Sequence, residues 1–453
     1  MEDDIRLICG DCLEKLKELK DNSVDLVVTD PPYGYSFMKK NWDKAVMGVE
    51  YWKGCLRVLK PGAFAFVMSA PRQDVLSRII ANLANAGFEM GFTSIYHTYA
   101  AGFPKASNIG KMVDKRLGNK REIVGRGKRH DSKSFGKDIY GKYKGGVPLE
   151  TKGASPIEGS YGGFQPKPAV EIILVCMKPL NEKTYVDQAL KNKKGVTWLD
   201  DCRIPYENKD KPQGGYGDMG IGIGKPTEHQ KYTKRKPRQE GTVFKQSGFK
   251  AEKNDIASAS PLGRFPANLL VSDDVLNDGR ITKSGQNNVR RKHGKFVEHD
   301  LGGIGMRQVS HPDIGSYSRY FDLDKWAEKT LPFLIVPKAA KREKNRGMER
   351  LPERKMEFES TTRTNKETAD KFGCERKSKM QNNHPTVKPV KLMSYLITLG
   401  SRPGDMVLDP FMGSGTTGIA CKTLNRRFVG IELSREYFDI AKARIAFVQK
   451  NLL

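Results

Sequence analysis

The sequence predicts an α/β protein: a mostly parallel sheet assembled from the two ends of the chain, with a large basic insertion. Three observations predict it. Short β-branched runs alternate with segments of helical spacing at both ends, the grammar of βαβ units. Two turns that follow such runs, at residues 30–33 and 409–418, are rich in Pro, Gly and acidic residues, and open α/β sheets bind ligands beyond the carboxyl ends of their strands. Between the ends, periodicity fades and Gly, Lys, Ser and Pro accumulate. The 453 residues are enough for two or three domains at roughly 150 residues each, and for a full core without disulfide or metal staples.

The elements follow in order. Residues 5–9 form a short apolar strand, 13–20 have helical spacing, and 24–29 form a second, β-branched strand ending at Asp30. A helix over 49–59 leads to Lys60-Pro61-Gly62, read as a turn, and then to a strand over 63–68. Residues 77–86 read as a helix closed by Gly87, and 92–99 as a strand. Residues 169–177 are an apolar run carrying one Glu, expected as a buried strand. After residue 384 the alternation returns: helix 390–399, strand 406–408, a Gly-rich turn, helix 416–424, strand 427–431 and helix 436–448. No internal repeat is found.

Residues 104–168 and 205–260 have little periodicity; 213–224 hold six glycines in twelve positions and 231–238 five basic residues in eight. Solvated loops and loops that order on a nucleic acid both have this composition. Residues 341–383 are a further charged stretch, expected as a linker or lid. Lys plus Arg number 79 against 53 Asp plus Glu, and the resulting +26 favours a polyanionic partner such as nucleic acid. No apolar run approaches the roughly 20 residues of a bilayer helix, and the acidic start lacks the apolar region of a secretory signal. Seven scattered cysteines argue for a reducing compartment. The expected location is the cytoplasm, with no membrane partner.

Two motifs carry chemistry. Asp30-Pro31-Pro32-Tyr33 directly follows a strand. Its prolines remove two N–H donors and fix φ, leaving the Asp30 carboxylate and the Pro31 carbonyl as rigid acceptors beside an aromatic face. That set suits the exocyclic amino group of a planar base, although Pro-Pro after a strand also makes an ordinary turn. The second motif, Asp409 to Gly418, reads D-P-F-M-G-S-G-T-T-G, matches G-x-G-x-x-G and has Glu432 at the end of the next strand. A nicotinamide dehydrogenase is the alternative reading. The 35 residues after Gly418 are too few for the rest of a dinucleotide-binding pair, and Asp409 suits a cationic amino acid–sulfonium ligand better than a pyrophosphate. Joined in space, the strand ends carrying Asp11, Glu432, Asp409 and Asp30 would surround one nucleoside pocket. Cys9-x-x-Cys12 has no second pair, the histidines lack ligand spacing, and no metal is expected.

On these two motifs, and on His384-Pro385-Thr386-Val387-Lys388-Pro389 just before the second, the sequence resembles DNA amino-methyltransferases of the β arrangement, in which the catalytic motif precedes the cofactor motif. More loosely, Phe37-Met38, Trp42-Asp43, residues 102–105, 201–205 and 263–268 resemble a phage- and prophage-borne branch. The resemblance implies a Rossmann-like class I methyltransferase fold in circularly permuted order, with a seven-stranded sheet. It implies S-adenosylmethionine as donor and double-stranded DNA as substrate, with Asp30, Pro31, Pro32 and Tyr33 as catalytic residues. Asp11, Cys12, Asp409, Phe411, Gly413, Gly415 and Glu432 carry over as cofactor contacts, together with Lys388. Adenine N6 is the favoured target, because Asp precedes Pro-Pro-Tyr. Cytosine N4 is the alternative, and an RNA or protein amide is disfavoured. No Pro-Cys dipeptide is available for covalent chemistry at cytosine C5. The target base must be flipped out and stacked, a role for Tyr33.

The domain organisation that follows is a catalytic half over 1–103, an insertion over 104–168 and a returning strand over 169–178. A target-recognition region over 179–330, a strand and linker over 331–383 and a cofactor-binding half over 384–453 complete it. Lys234, Arg235, Lys236, Arg290 and Arg291 are the expected phosphate contacts. A cognate restriction endonuclease is a candidate partner, and the chain is expected as a monomer or homodimer.

Overall fold

The computed structural model describes residues 4–34, 45–98, 106–126, 149–164, 170–205, 263–272, 314–330 and 386–448, with short pieces between 276 and 283 and between 345 and 384. Phe37, Met38, Trp42, Asp43, residues 102–105 and 206–262, and the five expected phosphate contacts lie outside the described residues.

The chain opens with β1 (Ile5–Cys9), α1 (Cys12–Leu16), β2 (Val24–Thr29), α2 (Val49–Val58), β3 (Leu59–Ser69), α3 (Gln73–Ala86) and β4 (Ile95–Thr98). Helix α4 (Ile109–Leu117) and an antiparallel pair, β5 (Glu122–Arg126) with β6 (Leu149–Lys152), precede β7 (Val170–Met177), α5 (Tyr185–Asn192) and β8 (Leu269–Val271). Two-residue strands β9 (Thr282–Lys283) and β10 (Ile314–Gly315) pair with each other, as do β11 (Arg354–Lys355) and β12 (Lys379–Met380). Helix α6 (Leu323–Thr330) lies between these pairs in sequence. The chain closes with α7 (Val390–Gly400), β13 (Met406–Asp409), α8 (Thr416–Thr423), β14 (Arg427–Glu432) and α9 (Arg435–Phe447).

The main sheet has the order β1-β14-β13-β2-β3-β7-β4-β8. Strand β7 runs antiparallel to both its neighbours, and the other pairings in this sheet are parallel. The architecture is therefore the expected mainly parallel α/β sheet, with eight strands where seven were expected. The eighth, β8, has three residues and extends the sheet beyond β4, pairing Tyr96 with Leu269 and Thr98 with Val271. Another difference concerns Lys60-Pro61-Gly62, which lies inside β3 rather than in a turn. The β2–β3 register shifts between Val24 and Leu26, and Gly62 N–H donates to the Lys178 carbonyl (3.0 Å). A bulge with Gly62 in the left-handed region (φ 76°) thus accommodates Pro61 within the strand. Helix α3 starts earlier than its apolar spacing indicated, at Gln73, with acidic Asp74 in its first turn.

Alternation along the central strands sends successive side chains to opposite faces. Leu26, Val28, Phe64, Phe66 and Met68 pack on one side with α7 and α8. Val27, Ala65 and Val67 pack on the other with Trp52 of α2 and Val75, Ile79 and Leu83 of α3. Helix α7 is buried on every face, because α6, α8, the sheet and the short helix Leu199–Cys202 all pack against it. Cys202, Leu270, Leu323 and Trp326 belong to this first core, and the Trp326 indole N–H donates to the Asp201 carbonyl (2.9 Å). Part of the 179–330 segment is thereby anchored in the same core as the sheet. Among the described residues no helix is long and apolar enough to cross a membrane.

Candidate active site

Strands β1, β14, β13 and β2 are consecutive neighbours, so their carboxyl ends bring Asp11, Glu432, Asp409 and Asp30 to one edge of the sheet. The expected closure of the two chain ends around one site is realised. Gly10 N–H donates to the Glu432 carbonyl (2.9 Å), tying the tip of β1 to that of β14. Asp11 caps α1, accepting the Leu13 N–H at 2.8 Å. Cys12, beside it, is buried, and burial pushes its thiol far up, so it has no nucleophilic character.

Asp409, at the end of β13, is 3 % exposed. Its carboxylate accepts the Thr29 hydroxyl (2.7 Å), the Thr417 hydroxyl (2.6 Å) and the Phe411 N–H (3.1 Å). These bonds lock the tips of β2 and β13 and the start of α8 together. Burial pushes its pKa up to about 6 despite those donors. In the turn itself, Gly413 and Gly415 adopt φ of 55° and 80°. A Cβ at Gly413 would lie 2.9 Å from His384 Nε2, and one at Gly415 2.9 Å from Ala441 Cβ, so only glycine fits at either place. The buried Arg444 of α9 grips the turn from behind, donating to the carbonyl and hydroxyl of Ser414. Glu432 closes the turn in front, accepting N–H from Gly413 and Ser434 at 2.8 Å each. Burial raises its pKa to about 7, opposed by those two N–H groups and reinforced by Asp409. Phe411 meets Tyr51 and Trp52 of α2 at ring-centroid distances of 6.4 and 6.1 Å. Tyr51 escaped the sequence reading because nothing local distinguishes it from a helix core position.

Asp30 follows β2 and is held by two partners. The Tyr33 hydroxyl donates to its Oδ1 (2.6 Å), and the Lys388 ammonium lies 3.2 Å from its Oδ2. Lys388 also donates to Glu171 of β7 (2.8 Å) and stands 5.8 Å from the Tyr33 ring centroid. Next to Glu171 is His97 of β4, its direct cross-strand partner, with Nδ1 3.9 Å from Glu171 Oε2. His97 Nε2 lies 3.0 Å from the Ser272 hydroxyl. Burial raises the Asp30 pKa, Lys388 opposes it and Glu171 adds to it. Burial would raise Glu171 as well, but Lys388 and His97 bring it down to about 2. Burial would lower Lys388, yet Asp30 and Glu171 hold it well above its ordinary value. The closer carboxylate, Glu171, is thus the more firmly ionised of the two.

Asp30, Tyr33, Lys388, Asp409, Phe411, Gly413, Gly415, Glu432 and Asp11 therefore share one edge of the sheet, with Pro31 and Pro32 in the connecting loop. Glu171, His97, Ser272 and Arg444 were not foreseen. The site fits a compact cation carrying ribose hydroxyls. Two carboxylates, the buried Asp409 and the half-buried Glu432, have raised pKa values that a cation or hydroxyl donors would relieve, and Tyr51 and Phe411 offer aromatic surface. Among the described residues no three His, Cys, Asp or Glu side chains are grouped to hold a metal ion.

Type II methyltransferase M2.DpnII of Streptococcus pneumoniae is 48 % identical over 67 residues, 15 % of this chain and 25 % of that protein. Type II methyltransferase M.HpaI of Haemophilus parainfluenzae is 47 % identical over 68 residues, 15 % of this chain and 22 % of that protein. The matched segments thus span about a quarter of these curated relatives. Among solved structures, the M1.HpyAVI–SAM complex aligns over 97 % of this chain and 99 % of its own, at 15 % identity and a TM-score of 0.34. The cytosine-N4-specific PvuII DNA methyltransferase aligns over 99 % of this chain and 87 % of its own, at 13 % identity and a TM-score of 0.35. The family model N6_N4_Mtase, described as DNA methylase, matches residues 24–443, nearly the whole length over which the strand ends, the Gly-rich turn and the Asp30 pocket are distributed, and the chain belongs to that family.

Proposed function

We propose that the chain methylates the exocyclic amino group of a base flipped out of double-stranded DNA, with adenine N6 as the target. The observation that carries this reading is the Asp30 pocket: a half-buried carboxylate fixed by Tyr33 and Lys388, one strand away from the Gly-rich turn. S-adenosylmethionine is the donor of this methyltransferase family. Asp11, Asp409, Phe411, Gly413, Gly415 and Glu432 would hold it, with Tyr51 alongside. When bound, it supplies an electrophilic methyl group: the C–S bond breaks with its electron pair left on sulfur as the amino lone pair forms the N–C bond.

The chain's own residues then do three things. Asp30, with the Pro31 carbonyl beside it, accepts the two amino N–H groups, which favours a pyramidal nitrogen with a localised lone pair. The Tyr33 ring provides the surface on which the extruded base stacks. Positioning and fixed charge supply the rate enhancement, with no covalent intermediate. Residues 179–330, with the insertion at 104–168, are proposed to read the recognition sequence. Lys234, Arg235, Lys236, Arg290 and Arg291 are proposed to anchor phosphates. Asp rather than Ser before Pro-Pro-Tyr favours adenine. Mass spectrometry of nucleosides from DNA of cells expressing the chain tests this directly. N6-methyladenine is expected, and N4-methylcytosine as the sole product would reverse the assignment.

A further inference from the structure

Asp30 is not the only carboxylate on Lys388. The ammonium is shared with Glu171, which projects from the antiparallel strand β7, and Glu171 stands across from His97, with 3.9 Å between Nδ1 and Oε2 and the Ser272 hydroxyl on the far side of the ring. A charged residue in an otherwise apolar interior strand needs a reason, since burying a carboxylate is costly unless it is paired. A lone Asp30–Lys388 pair would be neutral, and a lysine fully committed to Asp30 would occupy the oxygen needed for the base. With Glu171 the three charged groups sum to −1 when the His97 imidazole is neutral, and the lysine sits 2.8 Å from Glu171 against 3.2 Å from Asp30. The other titratable groups facing the cluster are Tyr33, His97 and, through Asp30, Asp409.

We propose that Glu171, whose cross-strand neighbour is His97, is a positioning residue for the transfer: it draws Lys388 off Asp30 and, with the imidazole neutral, leaves the pocket one negative charge in excess. This rests on the amino-methylation reading. As the amino lone pair forms the N–C bond, the nitrogen becomes positively charged and then releases one proton, to Asp30 and on to solvent. A pocket with net negative charge stabilises that nitrogen in the transition state more than in the ground state.

The test is Glu171→Gln, which keeps an acceptor for Lys388 and removes the charge. Single-turnover transfer to plasmid DNA should fall about tenfold, the effect of one charge a few ångströms beyond the reacting nitrogen at an effective protein dielectric. Cofactor affinity should stay within about threefold, since Glu171 lies away from the Gly-rich turn. The acid limb of the pH–rate profile should move to lower pH, because Asp30 loses a negative neighbour and gains the whole lysine. Glu171→Asp should recover part of the rate. An independent readout is carboxyl-13C NMR of selectively labelled aspartate, assigned with Asp30→Asn: the Asp30 resonance should titrate at lower pH in Glu171→Gln than in the native protein. A slow variant with an unmoved acid limb and an unmoved Asp30 titration would overturn the proposal, as would a variant with native rate. Native protein that transfers nothing to DNA while the Asp30 titration still shifts in Glu171→Gln would overturn the amino-methylation reading and leave the charge coupling standing.

Discussion

Glu432 and Asp409 make cofactor affinity a function of pH, and the size of the effect follows from their burial. In the free protein their carboxyls titrate near 7 and 6, pushed up by desolvation. A bound cation with ribose hydroxyls favours both ionised forms and returns them toward ordinary carboxylate values of about 4. Affinity must then rise with pH through this window. At about pH 6 a group titrating near 7 is roughly nine-tenths protonated, so Glu432 weakens binding about tenfold relative to pH 8, and Asp409 adds about twofold. The product is roughly twentyfold, or about 1.8 kcal/mol at 25 °C. The stability of the free protein has the matching sign. Raised folded-state pKa values contribute stability that is complete below the unfolded value of about 4 and is lost as pH rises through 6 and 7. Ligand stabilisation should therefore be larger at about pH 8 than at pH 6. Isothermal titration calorimetry with S-adenosylmethionine, run in buffers of different ionisation enthalpy, measures both the affinity and the protons released. Glu432→Gln should remove most of the slope. Native affinity flat within twofold across the window, with no proton release, would refute the coupling.

Other expectations are as direct. Asp30→Ala should abolish methyl transfer while leaving cofactor affinity within a few-fold, and calorimetry finding the cofactor lost would contradict the division between the two motifs. Lys388→Met removes the cation that opposes burial at Asp30, so the acid limb of the pH–rate profile should move upward, and an unmoved limb in stopped-time assays would disprove the pairing. Arg444→Met deletes the donors to Ser414 and should cost about 2 kcal/mol of stability in urea titrations, together with weaker cofactor binding. Replacing Lys234, Arg235 and Lys236 together by Ala should flatten the log-affinity against log-salt slope for all DNA sequences alike; an unchanged slope in fluorescence anisotropy would remove these residues from the interface.

The parts of the site that were legible in the sequence are those whose chemistry is written locally. Asp30 to Tyr33 and Asp409 to Gly418 each follow an apolar strand, and strand ends in a parallel sheet converge on one edge, so their meeting was predictable from alternation alone. Glu171, His97 and Ser272 have no such signature. They are single residues, two on strands β4 and β7 and one just past β8, 74 and 101 positions apart in sequence, and only the β7–β4–β8 register brings them together. A signal for one of them was present, since a Glu inside the apolar run 169–177 is costly unless paired. The Lys60–Gly62 segment was misread because Pro-Gly is turn chemistry by composition, while hydrogen bonds of Gly62 with Lys178 and Gly195 keep it within the sheet as a bulge. The eighth strand was missed because three residues, Leu269–Val271, carry too little periodicity to register.

The order of the sheet also governs how the chain must assemble as it leaves the ribosome. Strands β1 and β2 emerge within the first thirty residues, yet they are not neighbours: β14 and β13, from the far end of the chain, slot between them. Until those last strands are synthesised, β1 has no partner among the described strands, and β2 presents a bare ladder edge. Until residues 406–432 follow, the nascent protein thus has to keep an apolar edge from pairing with other chains. Its longest-range contacts, Val407 with Leu26 and Ile5 with Phe428, close last and set a slow, high-contact-order route. A chain arrested before residue 406 would contain Asp30 but no Gly-rich turn, and should partition to chaperones or aggregates rather than to a stable half-enzyme.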